Sequence, residues 1–220
     1  SPQEHELLRE EGLEKGELTL READVNFWRA IYDEKIQRTD EKFKHFLEAF
    51  RKIGVSDKTL LILTSDHGTE FYEHRRFDHG FTLYNEQIHV PLILQLPGQS
   101  VGKSISDRVS SIDVMPTILD LLDVPITDNV KKQMRGTSLV PAMRGESVRR
   151  DVYSETEYRQ YTYKRAIITP DDWKLIYTLE TKQRELYNLR TDPSQTRNVW
   201  SENSDVVERM RGLLARYRYR

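Results

Sequence analysis

Residues 59–68 read Thr59-Leu60-Leu61-Ile62-Leu63-Thr64-Ser65-Asp66-His67-Gly68. The uncharged run Thr59–Thr64 is too short for a buried helix. It reads as a strand covered on both faces, as in a parallel sheet. A second run, Val90-Pro91-Leu92-Ile93-Leu94-Gln95-Leu96, reads the same way and is closed by Pro97-Gly98. Upstream, Val25, Trp28, Tyr32, Ile36, Phe43, Phe46, Phe50 and Ile53 recur at spacings of three, four and seven. That predicts one long helix over Glu22–Ile53 with a core-facing seam, stopped at Gly54. Downstream, Val114, Ile118, Leu121 and Leu122 share one side of a short helix between Asp113 and Asp123. Asp113 stands where it can cap that helix, and Val124-Pro125 ends it. Helix, buried strand, loop, buried strand and helix make an α/β pattern.

The composition shifts near Gly145. From Arg149 to Arg220 there are 15 basic and 11 acidic residues. Strand-like pieces dominate there: Val152–Glu155, Arg165–Ile168, Trp173–Tyr177 and Glu185–Leu189, with turns at Asp171-Asp172 and Thr191-Asp192-Pro193. A last helix is predicted over Asp205–Tyr217, its Arg-rich end (Arg211, Arg216, Arg218, Arg220) reading as a solvated end that complements the helix dipole. Two parts follow: 1–148, the large α/β portion, and 149–220, a small antiparallel β subdomain with a terminal helix. The first 20 residues, six Glu against Arg9 and Lys15, read as a solvated capping segment.

The composition excludes several chemistries. The chain of 220 residues has no cysteine, so disulfides, thiol nucleophiles and thiolate metal sites are ruled out. With 34 Lys+Arg against 36 Asp+Glu, nothing points to nucleic acid as a partner. No apolar run approaches the roughly 20 residues of a membrane span.

The first strand runs directly into Asp66 and His67, and sites in open α/β sheets form at the carboxyl ends of strands. Asp offers a hard oxygen and His a neutral ring nitrogen, so the two suit one cation. They also suit a strand-capping Asp with a hydrogen-bonded His. The following loop holds Glu70, Glu73, His74, Arg75, Arg76, Asp78 and His79, which places three histidines within 13 residues. Such a loop is either solvated or wrapped around an anion and a metal.

The stretch TSDHGTEFYEHRRFDHGFTLYNEQIHVPLIL, Thr64 to Leu94, closely resembles the sulfatase family of the alkaline phosphatase superfamily. The resemblance continues in Ser110–Leu119 and again in Trp173–Ile176, Glu185–Leu189, Asp192-Pro193 and Asn198-Val199. It implies an alkaline-phosphatase-like mixed-sheet sandwich plus a small antiparallel sheet and helix. It implies hydrolysis of sulfate esters, with Asp66 and His67 as ligands of a divalent cation: Ca2+ in most relatives, Mn2+, Mg2+ or Zn2+ in others. His79 falls where relatives carry a Lys or His that contacts the sulfate and helps the leaving oxygen depart. His74 is the second substrate-contacting candidate. Arg75 and Arg76 stand where relatives often have small residues, which predicts a preference for polyanionic substrates. His89 stands where an Arg is common and reads as a packing or hydrogen-bonding residue between helix and strand.

The family's nucleophile is a formylglycine made inside Cys/Ser-x-Pro-x-Arg, and these residues contain no such motif. The first pair of metal-binding aspartates is absent as well. The chain therefore reads as the C-terminal half of a sulfatase, whose partners are a sulfate ester and the missing N-terminal half. Alone it is expected to be inactive and prone to associate. A signal peptide would precede Ser1, so localisation is not readable. The runner-up readings are a phosphodiesterase, phosphonate hydrolase or phosphoglycerol or phosphoethanolamine transferase of the same superfamily, or a non-catalytic remnant.

Overall fold

A computed structural model describes residues 19–158 and 162–217, so the acidic segment at 1–18 and the arginines at 218 and 220 lie outside the described residues. The chain divides into two compact units that part between Val101 and Gly102. The boundary expected at 148/149 thus falls inside the second unit, between its helices and its sheet.

The first unit opens with helix α1, Glu22–Lys52. Asp24 closes its first turn by accepting from the Arg21 N–H at 3.1 Å. Gly54, at φ +72°, provides the left-handed stop that a side chain would resist. Strand β1 (Leu61–Thr64) follows, then a tight hairpin of β2 (Glu70–Phe71) and β3 (Phe77–Asp78), a helical turn α2 (Asn85–Ile88), and β4 (Leu92–Gln95). The start of α1 packs on the hairpin: Trp28 meets Phe77 edge-on at 5.6 Å and Tyr32 meets Phe71 at 5.1 Å.

Two expectations are corrected here. β1 and β4 pair antiparallel, with Leu61 opposite Gln95 and Thr64 opposite Leu92. An apolar run records that a strand is covered but not the direction of its partner, and here α2 returns the chain reversed. Neither strand is covered on both faces, since Leu63 and Ile93 are exposed. The seam of α1 also faces a core only near its start. Val25 is buried, while Ile36, Phe46 and Ile53 are exposed, and Phe43, Phe46 and Phe50 stack on one another. Periodicity shows which side of a helix is apolar; it does not show how far along that side the covering surface extends.

The second unit carries α3 (Val114–Leu121), α4 (Asp128–Gln133) and α5 (Val140–Met143), then an antiparallel meander and α6 (Ser204–Arg216). The meander runs β5 (Val152–Tyr158), β6 (Thr162–Ile168), β7 (Trp173–Thr178) and β8 (Arg184–Asn188), each strand paired with the next. This is the predicted small sheet backed by one helix. Its core joins Ile167, Leu175 and Leu186 of the sheet to Val207 and Met210 of α6. Each such side chain, fully buried, contributes about 1.5–3 kcal/mol.

Asp113 is a further correction. It holds the N-cap position of α3, but its side chain makes no cap bond to that helix. It is fully buried and accepts from the Ser110 N–H (2.8 Å), the Thr137 N–H (2.9 Å) and Arg150. The carboxylate therefore pins the start of α3 to two later segments of the same unit. Gly136 sits against this pin, since a Cβ there would fall 2.0 Å from the Ile112 carbonyl oxygen.

Candidate functional site

The site is built in the first unit, where the chain leaves β1. Asp66 is solvent-facing, with its side chain 87% exposed. The His67 N–H donates to Asp66 Oδ1 at 3.0 Å, and this bond, aided by the nearby imidazole, holds the carboxyl below its ordinary range. His67 Nδ1 lies 2.9 Å from the Gly68 carbonyl oxygen. A carbonyl only accepts, so Nδ1 carries a proton, and in the neutral ring Nε2 is the nitrogen with the lone pair. That nitrogen stands 3.8 Å from Asp66 Oδ2. One carboxylate oxygen and one ring nitrogen are thus side by side on two solvent-facing side chains.

His79 comes from the end of the hairpin. Its ring stacks on His67, with centroids 3.8 Å apart and planes 15° apart. Asp78, in the left-handed region at φ +72°, turns its carboxylate to within 2.6 Å of His79 Nδ1. The carboxylate accepts, so His79 donates from Nδ1. Tyr72 and Arg75 share the left-handed backbone, at φ +75° and +59°. The left-handed conformation costs a non-glycine residue about 1–2 kcal/mol, and it is tolerated where surrounding contacts enforce it. Here the hairpin bonds enforce it: the Tyr72 N–H donates to Arg76 O at 2.8 Å and the Arg75 N–H to Tyr72 O at 3.2 Å.

His74 faces another environment. Its side chain is 10% exposed, its ring stacks on Tyr84 at 3.5 Å, and Nε2 lies 3.5 Å from Glu86 Oε2. Arg75 is exposed and Arg76 half-buried. His89 ends α2, its N–H donating to the Asn85 carbonyl at 2.9 Å.

Sequence reading counted Glu70 only among the loop's charged residues and passed over Gln87. Both are buried, and Glu70 Oε2 accepts from Thr82 Oγ1 and Gln87 Nε2. Burial pushes the Glu70 carboxyl up, against the pull of those two donors. The one signal available in the sequence was that His67 and His79 are each followed by glycine, which marks close backbone approach. A Cβ on Gly68 would lie 2.0 Å from the Glu86 carbonyl oxygen.

The sulfatase family model matches residues 28–124. The chain is 31% identical over 204 residues to arylsulfatase K of Danio rerio, covering 88% of this chain and 38% of that protein. The chain belongs to the sulfatase family. Among solved structures, a 2-O GAG sulfatase superposes with a TM-score of 0.79 at 25% identity, over 90% of this chain and 44% of that one. A phosphonate monoester hydrolase from Silicibacter pomeroyi superposes at 0.77 with 23% identity, over 91% and 42%, which shows the shared fold. The mixed α/β architecture of this sulfatase chain is thus the alkaline-phosphatase-like one. The chain spans 38% of the length of the zebrafish relative it matches.

The sulfatase family works with a divalent metal and a formylglycine. Asp66 and His67 fit part of a metal's shell in charge, tautomer and spacing. Among the described residues no group of three or more His, Cys, Asp or Glu could hold an ion. The pair offers two donors, fewer than the roughly six to eight oxygens that a Ca2+ ion takes. No described helix is long and apolar enough to cross a membrane.

Proposed function

We propose that this chain forms the cation and leaving-group side of a sulfatase active site that hydrolyses sulfate esters. The observation that carries the reading is the pair of stacked histidines beside Asp66, each with an acceptor on its Nδ1 atom. Asp66 Oδ2 and His67 Nε2 are the ligands of the divalent cation, which we take as Ca2+ on the family resemblance. When bound, that cation polarises the ester oxygens and offsets their charge. In its protonated form, His79 can hydrogen-bond the leaving oxygen from Nε2 as the S–O bond breaks, with Asp78 fixing its tautomer. His74, covered by Tyr84 and next to Glu86, supports the hairpin rather than touching substrate. A formylglycine motif is not among these residues, so the nucleophile belongs to the part of the site that they do not supply.

The test is hydrolysis by the full-length protein that carries this chain. Turnover of 4-nitrophenyl sulfate, strongly lowered by Asp66→Asn and by His79→Ala, is the expected result. Efficient turnover of a phosphonate monoester or phosphodiester with no sulfatase activity would replace this reading by the phosphonate hydrolase or phosphodiesterase one. Titration with Ca2+ and Mn2+ separately decides the metal.

A further inference from the structure

We infer that Gln87 is the positioning residue of this site: it ties the turn carrying His67 to the turn carrying His79. Gln87 is 4% exposed and bonds to three separate segments. Its backbone carbonyl accepts the Gly68 N–H at 2.8 Å. Its side-chain Oε1 accepts the Gly80 N–H at 2.9 Å. Its Nε2 donates to Glu70 Oε2. Gly68 follows His67 and Gly80 follows His79, so the backbone just beyond each ring hangs on the same residue.

The chemistry calls for this residue type. One planar group must accept from Gly80 and donate to Glu70 at the same time, and a primary amide does both. The Glu70 carboxyl decides which way the amide faces, because Oε2 only accepts here. It receives Thr82 Oγ1 as well, while Glu70 Oε1 is buried and has no hydrogen-bond partner. Burial also favours a proton on Glu70, and Oε1 is the oxygen free to carry it. Gly68 completes the tie: any side chain there would strike the Glu86 carbonyl before the Gly68 N–H reached Gln87. The β2–β3 pairing, with Glu70 opposite Asp78, joins the two segments between the turns, and Gln87 adds the tie at the backbone just beyond each ring.

The positioning role rests on the proposed site, but the tie is tested without activity. The probe is NMR of the isotope-labelled full chain at pH 6. In Gln87→Met, which keeps volume but loses both side-chain bonds, the mutual ring-current shifts of His67 and His79 should disappear. Exchange of the Gly80 amide should quicken about fivefold or more, as loss of one net hydrogen bond implies. In Gln87→Glu, which keeps an acceptor for Gly80 and can share one proton with Glu70, shifts and protection should survive. Retention of both in Gln87→Met, or their loss in Gln87→Glu, overturns the proposal. If Gln87→Met loses global dispersion, Gln87→Glu alone decides by the same criterion. Mn2+ titration of the full-length protein that carries this chain is read separately: absence of binding there counts against the Asp66–His67 metal assignment, while the ring shifts alone decide the tie.

Discussion

His67 and His79 stack face to face, 3.8 Å between ring centroids and 15° between planes. Lone pairs on imidazole nitrogens lie in the ring plane, so two parallel stacked rings cannot both aim at one ion. The pair is therefore divided in labour. His67→Ala should weaken cation binding at least about tenfold, as even outer-shell losses at metal sites do. His79→Ala should leave that affinity within a few-fold and lower kcat in the full-length protein. Calorimetric titration with Ca2+ and Mn2+ beside turnover would show the split. Equal loss of cation affinity in both variants would end this assignment.

Arg75 stands exposed on the hairpin next to half-buried Arg76. Exposed guanidinium groups at the rim of a sulfate site favour substrates with a second anionic group. Arg75→Ala and Arg76→Ala should each lower kcat/KM for a disulfated sugar several-fold more than for a simple aryl sulfate. An unchanged ratio between the two substrates would remove the arginines from substrate choice. Raising salt should narrow the ratio in the wild type, because exposed charges are screened.

Glu70 sets a pH dependence. Burial, the largest cause, raises its folded-state pKa above the unfolded value, with His74 pulling it down and Glu86 pushing it up. Its contribution is then fully present below the unfolded value and is lost as pH rises through the folded one. Each unit of such a shift is worth about 1.4 kcal/mol. Glu70→Gln, which cannot ionise, should gain in thermal stability relative to wild type as pH is raised from 4 to 8. A melting-temperature difference that stays flat across this range, or reverses, would show that Glu70 does not titrate in that window.

Asp113 should be the costliest single polar residue of the second unit. Asp113→Ala leaves two backbone N–H groups and Arg150 without their shared acceptor. Arg150 keeps some access to water, so the loss should be about 2–3 kcal/mol. Urea unfolding, followed by Trp173 and Trp200 fluorescence, measures it. A loss under 1 kcal/mol would mean that water replaces the pin.

The apolar surface on α1 and the β1–β4 pair predicts self-association of the 220 residues on their own. Ile36, Ile53 and Ile93 are each more than half exposed, and strand edges invite pairing. Light scattering after size exclusion should give a mass above 26.1 kDa that rises with concentration. A monomer at all concentrations would show that this surface is tolerated by water.

The residues alone determined the elements and singled out the loop proposed as the site. Period 3.6 marked α1, two apolar runs marked β1 and β4, and four strand-like pieces with turn residues between them marked the meander. These signals are local: each depends on which side of one element is apolar. The crowding of Asp66, His67, His74 and His79 into one loop was likewise plain, and so was the resemblance to the sulfatase family. Tertiary structure alone decided how these pieces meet. It set β4 antiparallel to β1, covered the first turns of α1 and left Ile36, Phe46 and Ile53 of its later seam exposed. It also separated two histidines that look alike in sequence. His74 and His79 lie five residues apart in a loop with no period, so their facing depends on left-handed turns at Tyr72, Arg75 and Asp78. These turns send His74 against Tyr84 and His79 onto His67. Gln87 was invisible for the same reason: its three partners, Gly68, Glu70 and Gly80, are brought to it only when the hairpin closes on α2.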